Sequence, residues 1–161
     1  MKVIDILNNT DKPVFSFELV PPLKGGDINK IYEAIEPLIA LAPPFINITF
    51  HRDEVVYREY PDGTIKKVTV TKRPGSVALA AAIMRRYNVD MVPHIVCGGA
   101  TRHKIENELI DLNFLDIENV MALRGDPIPG ERFFTPEEGG HRYSCELVEQ
   151  ITRMNHGQYL D

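Results

Sequence analysis

The chain has 161 residues, 43% hydrophobic and 25% charged, and its 23 acidic against 18 basic side chains leave a net charge of −5. That suits one domain over residues 1–161 with an ordinary globular composition, and it excludes bulk disorder. Both charge signs are interspersed, which argues against a nucleic-acid backbone binder, and no apolar run nears the ~20 residues that cross a bilayer. The opening stretch MKVIDILNNTDK carries Asp5 in its only apolar patch and no small-residue cleavage site, so it is not a secretory signal. Cys97 and Cys145 lie far apart without metal-ligand spacing. They read as buried or partly buried free thiols in a reducing cytoplasm.

Residues 2–9 read as a short amphipathic helix with Val3, Ile4, Ile6 and Leu7 inward, stopped at Pro13. Residues 14–19, VFSFEL, are rich in aromatic and β-branched side chains and predict a first strand, ended by Pro21-Pro22. Asp27 is a good N-cap for a helix with Ile28, Ile31, Ile35 and Leu38 on one face. Pro37 falls inside that helix and should kink it or cost a hydrogen bond. After Pro43-Pro44, residues 45–50, FINITF, predict a second strand. Residues 55–70 carry two strand-like arms about a Pro-Asp-Gly turn, a β-hairpin pattern.

Ser76 predicts the cap of a helix running to residue 87, with Val77, Ala80, Ala81 and Met84 inward. Residues 89–96, VDMVPHIV, predict a third strand. Thr101 then caps a helix bearing Ile105, Leu109 and Leu112. Residues 117–123 predict a fourth strand, followed by a Gly- and Pro-rich loop over 124–142. Ser144 opens a last helix with Leu147, Val148, Ile151 and Met154 on one face. The order is βα repeated, with one hairpin inserted after the second strand. Such alternation means an α/β protein with a parallel sheet and crossover helices. No GxGxxG follows the first strand and no GxxxxGK[ST] occurs, so both common nucleotide folds lack their signature.

Polar residues recur at one place in this pattern. Glu18, Thr49 and His94 end the first three strands, and Arg124-Gly125-Asp126 follows the fourth. In a (β/α) barrel the carboxyl ends of the strands carry the active site. A carboxyl such as Glu18, desolvated among apolar neighbours, can serve as a general acid. The plainer reading of Glu18 is a solvated or paired carboxylate. Thr49 alone is an ordinary strand residue, and a lone His94 is as readily a satisfied core histidine. In Arg124-Gly125-Asp126, glycine permits close backbone approach, arginine offers a donor fork and aspartate an acceptor, although a charged turn would look the same. His51, Arg52, Asp53 and Glu54 read as a solvated loop without a metal-ligand pattern.

Five stretches, FSFELVPP, PFINITF, PHIVC, VMALRGD with Pro127, and YSCELV, together resemble the methylenetetrahydrofolate reductase family in order and spacing along nearly the whole chain. The resemblance implies a (β/α)8 TIM-type barrel holding FAD. NAD(P)H reduces the flavin and gives way to methylenetetrahydrofolate, which is reduced to 5-methyltetrahydrofolate in one-carbon and methionine metabolism. By that likeness Glu18 matches the general acid that protonates a folate nitrogen so that the ring opens to an iminium. Thr49, His94, Arg124, Gly125 and Asp126 match FAD-contacting positions, and Tyr143 and Ser144 match the pair near the adenosine. Asp126 also matches the residue that holds the pterin.

Two departures qualify the likeness. Phe50-His51 stands where the family has Tyr-Gly, and the hairpin follows it. A complete barrel needs roughly 250 residues, whereas about four βα units are legible here. The expectation is therefore the amino-terminal part of the barrel, a weak flavin binder by itself. Its open edge strands would invite self-association, as a homo-oligomer, or pairing with a second half. The competing readings are a non-catalytic half-barrel interaction fragment and a flavin-free barrel lyase using Glu18 and His94.

Overall fold

The computed structural model describes residues 1–160. Its elements, in chain order, are α1 (Val3–Asn8), β1 (Phe17–Leu19), α2 (Ile28–Ile39), β2 (Phe45–Ile48), β3 (Glu54–Glu59), β4 (Ile65–Val70), α3 (Ser76–Tyr87), β5 (Asp90–Val96), α4 (Arg102–Phe114), β6 (Met121–Leu123) and α5 (Ser144–Asn155). Four strands form one parallel sheet in the order β1-β2-β5-β6, and β3-β4 form a separate antiparallel hairpin. The sheet order follows the chain order once the hairpin is set aside. Right-handed crossovers that always step the same way put every helix on one face of the sheet. That is the winding of a (β/α) barrel, which a doubly wound sheet reverses at its middle strand. The fold is thus α/β and agrees with part of a TIM barrel.

Strand alternation divides the sheet into two faces. Ile46, Ile48, Met91, Ile95 and Cys97 point toward the helices and pack with Ile35, Leu79, Ile83, Ile105, Leu112 and Leu147 into one core. The residues between them, including Glu18, Asn47, Thr49 and His94, face the concave side. Asp27 accepts a hydrogen bond from the Asn29 N–H, and Thr101 accepts one from the Lys104 N–H, so both predicted caps form. Between α2 and α3, the Tyr87 hydroxyl donates to the Tyr32 carbonyl at 3.2 Å, and Arg86 stacks 4.3 Å from the Tyr32 ring. Pro37 lies within the last turn of α2, which still runs to Ile39.

Several elements depart from the sequence expectation, each for a physical reason. The strand expected over 14–19 shrinks to β1, because Phe17 pairs with Ile46 and upstream residues would face Pro43-Pro44, which lack N–H donors. β6 begins only at Met121. Further upstream it would run beside Pro93, and Asn119 instead bonds Met1 and Val3. Ser76 is the first residue of α3 and not its cap. Gly75 holds the cap position, and the buried Ser76 hydroxyl donates to the His94 carbonyl at 3.5 Å. The buried face of α3 centres on Leu79, Ala80 and Ile83, leaving Val77, Ala81 and Met84 partly exposed.

α1 does not bury an apolar face: Ile4 and Leu7 are exposed. Polar contacts pin it instead, with the Met1 ammonium 2.7 Å from Asp90 and the Val3 N–H donating to Asn119 Oδ1 at 2.8 Å. In α5, Gln150 takes the buried position next to Leu147 while Val148 faces outward. Cys97 is buried as expected, but Cys145, near the start of α5, is exposed.

Candidate functional site

The carboxyl ends of the four parallel strands open onto one cavity of about 740 Å³. Glu18, Thr49, His94, Gly125 and Asp126 all line it. Five positions chosen from sequence therefore converge, brought from four strand ends by the pairing of β1, β2, β5 and β6.

His94 is 5% exposed, and its Nε2 has no hydrogen-bond partner among the described residues. It is thus not the satisfied core histidine that the plainer reading would make it. The Glu18 carboxylate lies 3.6 Å from this nitrogen. Burial pushes the His94 pKa below the ordinary histidine value of 6.5, and the Glu18 charge opposes that shift. The neutral ring accordingly presents an unspent polar atom to the cavity. Thr49 donates its hydroxyl to the Leu19 carbonyl at 3.3 Å, tying the end of β2 to β1.

Glu18 corrects one expectation. Its side chain is 56% exposed, so it is not desolvated. β1 is an edge strand with β2 alone beside it, and one side of Glu18 stays open to water.

Gly125 has φ +85°, and a Cβ there would stand 2.5 Å from Val96 Cγ1. The position requires glycine both for its backbone and for its space. Arg124 turns away from the cavity lining and lies 5.4 Å from the Phe134 ring. Phe134, missed in the sequence, anchors the long loop after β6 by packing on the core, and Gly98 makes room for it. Tyr143 and Ser144 do not line the cavity. They sit at the same rim on its helix side, where the Tyr143 carbonyl accepts a weak hydrogen bond from Cys97 Sγ at 3.7 Å. Glu146 fixes this corner by accepting from the Arg142 and Tyr143 N–H groups.

The 51–54 segment is only partly the solvated loop expected, since His51 and Glu54 are exposed. It lines the cavity, with Arg52 and Asp53 partly buried. Arg52 lies along Gly98 and Gly99 and reaches to 3.8 Å from Glu137. His51 is held below its ordinary pKa by burial and then by the nearby Arg73 charge. Asn47 was also missed. It is 8% exposed, and its Nδ2 donates to Ser16 and Phe17 while its Oδ1 has no partner among the described residues. The signal was available, since strand alternation in FINITF puts Asn47 on the face of Thr49.

The family model for methylenetetrahydrofolate reductase matches residues 2–161. The chain belongs to the methylenetetrahydrofolate reductase family. It is 28% identical over 163 residues to methylenetetrahydrofolate reductase (NADH) 1 of Arabidopsis thaliana, covering 99% of this chain and 25% of that protein. Against the 5,10-methylenetetrahydrofolate reductase of Pectobacterium carotovorum subsp. carotovorum the identity is 24% over 141 residues, covering 86% of this chain and 39% of that one. The probable methylenetetrahydrofolate reductase (NADPH) of Caenorhabditis elegans is 24% identical over 157 residues, with 98% and 21% covered. This family member thus spans about a quarter of the length of the plant relatives it matches. The relatives' names divide between NADH and NADPH.

Proposed function

We propose that the chain supplies the amino-terminal part of a catalytic barrel that reduces 5,10-methylenetetrahydrofolate to 5-methyltetrahydrofolate with FAD and NAD(P)H. The observation that carries this reading is the meeting of Glu18, Thr49, His94, Gly125 and Asp126 at one cavity, joined to the family membership.

The residues present fit a flavin. The unpartnered His94 Nε2 and Asn47 Oδ1 lie on the concave face as unspent polar atoms, and buried polar groups in this condition want a partner. Gly125 bares its backbone at the rim. Thr49, His94, Gly125 and Asp126 would hold the cofactor from this side, with Arg124, Tyr143 and Ser144 serving its far end. FAD, when bound, supplies the hydride chemistry, and the protein supplies orientation and electrostatics.

Glu18 has the acid's part. It stands at the open mouth, where it can give a proton to a folate nitrogen and take one back from water. His94, neutral through burial, orients that carboxyl without competing for its charge. Asp126, at the rim just after β6 and three strands across the sheet from β1, accepts from pterin N–H donors.

The test is Glu18→Gln in the full-length protein, followed one half-reaction at a time. Flavin reduction by the nicotinamide survives while oxidation by the folate collapses. Loss of both, or of neither, removes Glu18 as the acid. A second reading, a non-catalytic half-barrel that binds a partner chain, is favoured by the edge positions of β1 and β6. A stable oligomer that never retains flavin would select it.

A further inference from the structure

Arg52, Lys72 and Arg73 are the cations that line the cavity holding Glu18. Two of them have close partners. Lys72 pairs with Glu54 at 2.5 Å, and the Arg73 guanidinium donates to the Pro21 carbonyl. Arg52 differs. Its side chain is only 21% exposed, yet its guanidinium makes no hydrogen bond among the described residues. Its carboxylate neighbour, Glu137 Oε1, stops 3.8 Å from Nη2 and is itself half exposed. A guanidinium is always charged and offers five N–H donors in a planar fork. Burying such a charge without a hydrogen-bonded partner is costly, and this fork matches a phosphate or a carboxylate.

Place decides between those anions. Arg52 comes directly after Phe50-His51, the pair at which the chain departs from its family's pattern, and it crosses from the loop after β2 to the turn after β5. A Cβ on Gly99 would stand 3.6, 3.7 and 3.9 Å from Arg52 Cβ, Nε and Nη2, and one on Gly98 would stand 3.5 Å from Nη1. The two glycines thus form the bed of the side chain. Phe134 and the Arg124 carbonyl flank the same point at Gly98, at 3.3 and 3.7 Å. Cys97, the residue before Gly98, donates its Sγ to the Tyr143 carbonyl. Arg52 therefore stands between the cavity of Glu18 and His94 and the rim of Tyr143 and Ser144. A dinucleotide with its ring in that cavity and its adenosine at that rim crosses Gly98 and Gly99 with its pyrophosphate.

We propose that Arg52 is a positioning residue that grips the phosphates of the flavin cofactor over the Gly98-Gly99 turn. This rests on the flavin reading above. A purely structural part, bracing the loop after β6 through Glu137, is the competing account. The 3.8 Å separation and the exposure of Glu137 make that brace weak, since open ion pairs contribute little.

The experiment titrates riboflavin, FMN and FAD calorimetrically into the full-length protein freed of flavin. The three probes share the ring and differ in phosphate. FMN and FAD bind about tenfold more tightly than riboflavin, as hydrogen bonds to a charged group allow. Arg52→Gln removes that advantage and leaves riboflavin affinity unchanged. Arg52→Lys, which keeps the charge and loses the fork, recovers part of it. Glu137→Gln keeps the advantage, and melting curves check that the variants fold. A phosphate advantage that survives Arg52→Gln overturns the proposal. So does an equal loss for riboflavin, or a loss in Glu137→Gln as large as that in Arg52→Gln, either of which makes Arg52 a brace. Unchanged flavin affinities with only the nicotinamide nucleotide weakened also overturn it, by moving the arginine to the other dinucleotide. If the unaltered protein binds none of the three probes, the flavin reading itself falls and takes this assignment with it. A failure confined to the difference between FMN and riboflavin removes Arg52 alone.

Discussion

His94 Nε2 stands 3.6 Å from the Glu18 carboxylate although their strands never pair, since β2 lies between β1 and β5. The contact therefore spans the concave face and does not run along a ladder. It couples a buried imidazole to a half-open carboxyl, and that asymmetry has a measurable consequence.

Burial holds His94 below the usual 6.5. As pH falls, the unfolded chain takes up this proton first, so the unfolded state is favoured. The stability owed to a neutral His94 is complete above about 6.5 and is lost as pH drops from there through the depressed value. His51, also depressed, acts in the same direction. Glu108 acts in the other, because burial raises its pKa and its protonation favours the folded state. Comparing wild type with His94→Asn isolates the one ring. The melting temperature of the wild type falls more steeply on acidification between about pH 7 and 5. Equal slopes in the two proteins would remove His94 from this account.

Gly125→Ala destabilises the chain by about 1–3 kcal/mol, from a left-handed backbone at φ +85° and a Cβ 2.5 Å from Val96 Cγ1. The two causes separate in a cycle with Val96→Ala, which removes the colliding methyl and leaves the backbone strain. In urea denaturation the double variant recovers part of the loss, so the two changes are not additive. Strict additivity would mean that the collision contributes nothing.

The winding was legible because each strand and helix announces itself locally. VDMVPHIV reads as a buried parallel strand, and Asp27 and Thr101 cap helices through bonds to their own neighbours. What was illegible depends on distant segments. β1 is short because of Pro43-Pro44 on its partner, and Glu18 is wet because nothing pairs β1 on its other side in the described sheet. Arg52 turns inward because Gly98 and Gly99 leave it a path. No window of sequence around residue 52 contains that fact.

Ile105 is wholly buried and seats α4 in the core. Ile105→Ala removes three carbons from a packed site and costs about 2–5 kcal/mol, a large share of the 5–15 kcal/mol that holds a typical domain together. Thr101→Ala, four residues earlier, loses only a cap bond to Lys104 and costs about 1 kcal/mol. The order of the two losses in denaturant titrations tests whether packing or capping dominates this helix. A larger loss from the cap would mean that α4 is held chiefly by its own end.

Asn47 separates stability from function most sharply. It is buried on the concave face with Oδ1 unpartnered and only long bonds from Nδ2, at 3.3 and 3.4 Å. An unsatisfied buried acceptor costs about 1–3 kcal/mol, and Asn47→Leu relieves that cost while giving up only the two long Nδ2 bonds. Asn47→Leu therefore keeps or raises the melting temperature. If the orphaned oxygen exists to meet a ligand, the same variant in the full-length protein retains less flavin through purification. A variant that unfolds more readily yet keeps its flavin would reverse both halves of the argument, making Asn47 a structural residue of β2.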